Sequence, residues 1–199
     1  MNRRRALALA VFPALSACFP EIAPPSDLYV LTPKSTFRPD LPKVDWQMVV
    51  EEPVAAAGLN TPRIALARSP TELDFFQGAR WVDRAPAMVQ TLLVESFENS
   101  KRIVAVGRQS IGLRADYVLK VELREFQAEF FRPPTQAAVH VRLNAKLIKQ
   151  PERNILASES FESHQPLTSR DIRHVVDTFD EALGKVMRRI VEWTLVQGK

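Results

Sequence analysis

The sequence predicts an α+β fold, an antiparallel or mixed sheet with one long hairpin, packed by two helices on one face. Three observations carry this. Apolar residues alternate with polar ones over Tyr117–Leu123 and again over Val139–Leu147, the period-two pattern of half-buried strands. Two other segments space their apolar residues by three and four, which is the helical period. Long strands that pair as a hairpin expose an apolar face, and helices with one apolar stripe cover it, giving a two-layer sandwich.

In chain order, Asp27–Thr32 (DLYVLT) reads as the first strand, ended by Pro33, and residues 34–43 read as loop. Trp46–Val50 and Arg63–Ala67 are short strands separated by a turn that contains Gly58 and Asn60. From Leu73 to Val82 an aromatic run is interrupted by Gly78, the pattern of a bent strand or hairpin. Pro86 suits the first turn of a helix, and Met88, Val89, Leu92, Leu93 and Phe97 then recur at helical spacing. Asn99 and Ser100 end that helix, and Ile103–Val106 makes another strand.

The longest extended region follows. Its apolar phase moves from Tyr117, Leu119, Val121 and Leu123 to Phe126, Ala128 and Phe130, a one-residue shift that a β-bulge produces. Pro133-Pro134 turns the chain, and a third strand is expected over 155–161. In the last segment Ile172, Val176, Phe179, Leu183, Val186, Ile190 and Trp193 step by four and three. Thr168 or Ser169 is the expected cap, with Asp171 in the first turn. This stripe is expected to pack across the sheet. Its heptad spacing also suits a seam between subunits, so a homo-oligomer stays open.

The N-terminus carries export information. Arg3, Arg4 and Arg5 precede twelve uncharged residues, Ala6–Ala17, too few for a spanning helix of about 20. Leu15-Ser16-Ala17-Cys18 resembles the lipobox of bacterial lipoproteins, with small residues before a cysteine whose sulfur takes a diacylglycerol. The expected organisation is a signal peptide over 1–17, lipidated Cys18 with a proline-rich tether over 18–26, and one domain over 27–199. Cys18 is the sole cysteine, so the mature domain can form no internal disulfide. Removing residues 1–17 takes away three arginines and leaves 24 basic against 23 acidic side chains. The apparent basicity is therefore mostly export signal, and nothing argues for nucleic acid.

Catalytic patterns are missing from the sequence. His140, His164 and His174 lie far apart with no zinc-site spacing, His140 falls on the polar side of a strand where solvation is expected, and no metal is expected. Six glycines build no phosphate loop, and no Gly-x-Ser-x-Gly elbow occurs. Asp171, Asp177, Asp180 and Glu181 alternate with Arg170, Arg173 and Lys185, a solvated charge-paired helix face. Neither a cofactor nor an enzymatic activity is expected. Binding features are clearer: Phe130 and Phe131 fall at the hairpin tip, and Phe75, Phe76 and Trp81 form a second aromatic group. These five are the expected interface residues for a partner or lipid, although core packing competes for the second group.

Residues 61–108 carry a family resemblance. The strand Pro62-Arg63-Ile64-Ala65, then Arg68-Ser69-Pro70, Gly78-Ala79-Arg80-Trp81 with Asp83-Arg84, Leu92-Leu93 and Val106-Gly107-Arg108 resemble the ABC-type transport auxiliary lipoprotein family. Tyr29-Val30-Leu31 is similar to that family's opening strand. The resemblance implies a non-enzymatic envelope lipoprotein that works beside an ABC ATPase, a permease and a protein with mammalian-cell-entry (Mce) domains. It further implies a part in moving lipids or hydrophobic molecules across the envelope, from a lipid-anchored position. Phe19 directly after Cys18, where an aspartate would retain a lipoprotein at the inner membrane, favours the outer membrane, facing the periplasm. The alternative is an assembly lipoprotein that docks a partner complex without contacting cargo.

Overall fold

Residues 25–108, 114–131 and 137–198 are described by a computed structural model of the chain. Cys18, the signal segment and Pro133-Pro134 lie outside them. The described residues form nine strands and two helices: β1 (Asp27–Tyr29), β2 (Gln47–Val50), β3 (Val54–Ala55), β4 (Arg63–Ser69), β5 (Glu72–Trp81), α1 (Ala85–Ser100), β6 (Ala105–Arg108), β7 (Tyr117–Glu129), β8 (Ala138–Lys149), β9 (Asn154–Pro166) and α2 (Ile172–Gln197). The α+β class is as expected.

The sheet is built around β7. One edge of β7 pairs along its length with β8, which in turn pairs with β9, all antiparallel. Its other edge takes three short strands in succession, each parallel: β2 at Tyr117–Leu119, β3 at Glu122–Leu123 and β4 at Gln127–Glu129. From β4 the sheet extends through antiparallel β5 to parallel β1, and from β2 to parallel β6. The expected bulge falls between Leu123 and Glu125 of β7. Before it Leu119, Val121 and Leu123 are buried against the helices, and after it Phe126 and Ala128 are.

Helix α2 packs on β8 and β9 and against α1, so its apolar stripe is spent within the domain rather than exposed as a seam. The core centres on three aromatic rings brought from a short hairpin, a long strand and a helix. Trp81 lies 5.7 Å from Phe126 and 5.2 Å from Phe179, and Phe126 lies 5.0 Å from Phe179, all in tilted or edge-on contacts. Trp81 is 1% exposed. It is therefore a core residue and leaves the set of expected interface residues.

Three further details depart from expectation. Strand β9 reaches Pro166 rather than ending near 161, because β8 offers it paired backbone as far as Ala138. Strand β3 goes unpredicted, since two residues carry no readable period. The cap of α2 is Asp171, whose carboxylate accepts from the N–H groups of Arg173 and His174 at 3.0 and 3.4 Å. A carboxylate answers the partial positive charge of a helix start better than the hydroxyls of Thr168 or Ser169.

In the β4–β5 hairpin, Arg68 Nη2 donates to Asp74 Oδ2 at 2.6 Å on the surface. The hydrogen bond from Arg68, reinforced by the Phe75 N–H, holds the Asp74 carboxyl below its ordinary range. Any stability from the pair is present above the ordinary carboxylate pKa and is lost as pH falls through the lowered one. In β5, Gly78 bends the strand at φ +69°, and a Cβ added there would meet nothing within 4 Å.

Trp81→Ala should lower the unfolding free energy in chemical denaturation by about 3–5 kcal/mol, the cost of a large core cavity. Gly78→Ala should cost about 1–2 kcal/mol, all of it from the left-handed backbone. In an NMR titration, Arg68→Ala should raise the Asp74 midpoint toward the ordinary carboxylate value; an unmoved midpoint would show that the Phe75 N–H alone holds it down.

Candidate functional site

The bulge in β7 decides what the helix-free face of the sheet displays. By returning Phe126 and Ala128 to the core, it turns Glu125, Gln127 and Glu129 outward on the far side. Strand register then sets them in rows across β7, β8 and β9. Gln127 stands beside His140 and His164, and Glu125 beside Arg142 and Glu162. Such cross-strand neighbours are close enough to interact directly.

The rows form a connected polar network. Arg142 Nη2 donates to Glu125 Oε1 at 2.6 Å, and Gln127 Nε2 donates to Glu125 Oε2 at 2.7 Å. The backbone N–H of Phe126 in turn donates to Gln127 Oε1 at 2.9 Å. His140 sits between two carboxylates, with Nδ1 2.8 Å from Glu129 Oε1 and Nε2 2.6 Å from Glu162 Oε1. The His164 ring stacks on that of His140, with centroids 3.8 Å apart and planes 24° from parallel. Glu129, His140 and His164 each offer a ligand atom within 4.8 Å of the others.

This corrects the expectation of a solvated His140, which is only 8% exposed. Strands flank it on both sides, and the bulge brings Glu129 onto the same face. The expected third strand stopped short of His164. Extending it to Pro166 at the observed register is what pairs the two histidines. The signal was therefore present in the alternation, but it ran past the point where apolar residues marked it.

The aromatic residues separate into different surroundings. Phe75 is half-buried beneath the Arg63 guanidinium, whose Cζ is 3.5 Å from the ring centroid. Phe76 and Phe130 meet edge to face at 6.2 Å, and Arg170 lies 5.0 Å over Phe130. Phe130 thus folds back onto the core margin instead of standing free, while Phe131 next to it is half-buried. The structure brings Phe76 and Phe130 together and keeps Phe75 with Arg63.

More exposed apolar residues occur where sequence reasoning placed no site. Leu28, Val30 and Val82 are 64%, 63% and 55% exposed at the β1 edge. Tyr29 pairs with Trp81 on the core side, so its strand neighbours face outward. On the helix-free face, an open groove of about 790 Å³ is lined by the apolar Val49, Val118 and Ile148 and by charges of both signs, Arg114, Lys120 and Arg153 with Glu51 and Asp116. No helix among the described residues is long and apolar enough to cross a membrane.

Comparison with known proteins fits this architecture. The crystal structure of protein XCC0632 from Xanthomonas campestris, a DUF330 protein, superposes with a TM-score of 0.82 at 34% identity, covering 87% of this chain and 97% of that one. A second crystal structure, of an uncharacterized protein, shares the fold at a TM-score of 0.66 and 14% identity, covering 84% of this chain and 97% of its own. An uncharacterized protein of Bradyrhizobium diazoefficiens is 27% identical over 171 residues, 84% of this chain but 44% of the relative's length. The profile of the ABC-type transport auxiliary lipoprotein component matches residues 29–191, from β1 into the last turns of α2. The chain belongs to the ABC-type transport auxiliary lipoprotein family.

Proposed function

We propose that this protein is the non-enzymatic auxiliary subunit of an Mce-associated ABC transport system that moves lipids or other hydrophobic molecules across the cell envelope. It would dock on the Mce-domain protein and the permease–ATPase complex, held by diacylated Cys18 at the outer membrane and facing the periplasm. The family match over 29–191 carries the transport role. The lipobox ending at Cys18 supports the anchor, since two or more acyl chains hold a protein stably at a bilayer.

The Leu28, Val30 and Val82 edge suits docking near that anchor. Leu28 follows Cys18 by ten residues, so even a fully extended chain keeps the edge within about 35 Å of the lipid. Phe75, Phe76, Phe130 and Phe131 are each half-buried, so part of each ring is open to a partner. One observation favours the narrower reading, in which the protein docks a partner without touching cargo. The groove on the helix-free face sets charges of both signs around its apolar residues, with Lys120 paired to Glu51 at 3.3 Å.

Affinity capture of the full-length protein from detergent-solubilised envelopes tests the reading. It should bring down an Mce-domain protein together with phospholipid. Capture of the partner without phospholipid would favour the docking-only role, and capture of neither would end both. Cys18→Ala should shift the protein from the membrane to the soluble envelope fraction. Phe131→Ala should weaken partner capture, and Phe75→Ala should do so with a lowered thermal midpoint because its ring also packs against the core; unchanged capture would remove these residues from the interface.

A further inference from the structure

The His140 cluster has no part in docking or anchoring as described. A neutral imidazole carries one N–H donor and one lone-pair acceptor. Both nitrogens of His140 lie at hydrogen-bond distance from carboxylate oxygens, so only one of them can be satisfied by donation. The other nitrogen directs a lone pair at an oxygen of like polarity, an arrangement that requires a positive charge between them. Water screens the clash weakly, since the His140 and Glu129 side chains are 10% and 5% exposed.

One feature points to a metal ion rather than a second proton. A proton on His140 needs only the two glutamates, whereas His164 offers a third ligand atom within 4.8 Å of those of Glu129 and His140, which its ring would aim at a shared ion by turning out of the stack. Two imidazoles and a carboxylate are a common protein set for zinc, at bond lengths of about 2.0–2.2 Å, with a fourth position left open. Glu162 then has its own role. It accepts from Nε2 of His140 at 2.6 Å, which fixes the tautomer and aims Nδ1 toward Glu129.

We propose that Glu129, His140 and His164 bind a divalent transition-metal ion of zinc type on the helix-free face, with Glu162 positioning His140. The ion would bridge β7, β8 and β9 near the end of the long hairpin and present one open coordination site to the periplasm-facing surface.

The test uses full-length protein in detergent, stripped with EDTA, dialysed and titrated with Zn²⁺. The expected result is saturation at one ion per chain, with a raised thermal midpoint that EDTA reverses. Co²⁺ should give the visible absorption bands of a low-symmetry N/O site. His164→Ala should weaken Zn²⁺ binding by at least about 10-fold, and Glu162→Gln by about 10- to 100-fold, as for loss of an orienting partner. His164 is 38% exposed, so its variant keeps the test valid even where Glu129 or His140 variants fail to fold. Absence of saturable binding, or equal affinity in His164→Ala, would overturn the site. So would a ¹⁵N imidazole spectrum in which both His140 nitrogens carry protons and nothing changes on adding Zn²⁺.

Discussion

The architecture depends on one extra residue in β7. A strand of thirteen residues without a bulge would keep a single alternation from end to end. Continuing the phase of Tyr117, Leu119, Val121 and Leu123 would drive Glu125, Gln127 and Glu129 into the layer beneath α2. Burying carboxylates there is far more costly than the loss of one ladder step. The register shift between Leu123 and Glu125 avoids this and keeps the whole strand paired to β8. It also returns Phe126 to the core, where it meets Trp81 and Phe179.

The same shift builds the two faces of the sheet as a linked pair. The core face gains a continuous apolar surface from Leu119 through Ala128 and from Val139 through Leu147, which α2 covers with Val175, Phe179, Leu183, Val186 and Ile190. The opposite face gains polar side chains on three neighbouring strands. Those at its centre are shielded by adjacent strands and so satisfy one another: Arg142 and Gln127 both donate to Glu125, and His140 lies between Glu129 and Glu162. A buried polar group is tolerated only with such partners. Disturbing the bulge would therefore damage core and network together, since Phe126 packs on Trp81 while its N–H donates to Gln127.

Much of this could be read before the structure. Period-two alternation located the long hairpin, the phase slip located the bulge, and the four-and-three stripe located α2, because each pattern spans many residues and is set by burial. Short elements escaped: two residues at Val54–Ala55 have no period, and their strand exists only because β7 has free backbone beside Glu122 and Leu123. The polar cluster escaped for a related reason. Glu129, His140 and His164 are 11 to 35 residues apart in the chain, and register alone brings them together. Apolar alternation falls silent at the end of β9, where Glu162 and His164 sit, so the strand's true length could not be read from hydrophobicity. Trp81 was ambiguous between core and interface because aromatic residues serve both. Its burial against Phe126 and Phe179 resolves it.

The two regions with binding potential follow different physical rules, and this separates their roles. The β1 edge with Leu28, Val30 and Val82 is apolar and exposed, and Leu28 and Val30 are among the described residues nearest Cys18 in sequence. Contacts there gain from excluded water and need little directional precision, which suits a surface held close to its target by an anchor. The network at the far half of the hairpin is directional. Its geometry comes from three adjacent strands held by continuous antiparallel ladders, so the positions of Glu129, His140 and His164 are set by the sheet itself. Rigid placement of polar groups favours selective recognition of one charged species over general adhesion. On the proposed reading, a domain held by its anchor docks a partner through the apolar edge while its rigid polar face answers a specific charged ligand.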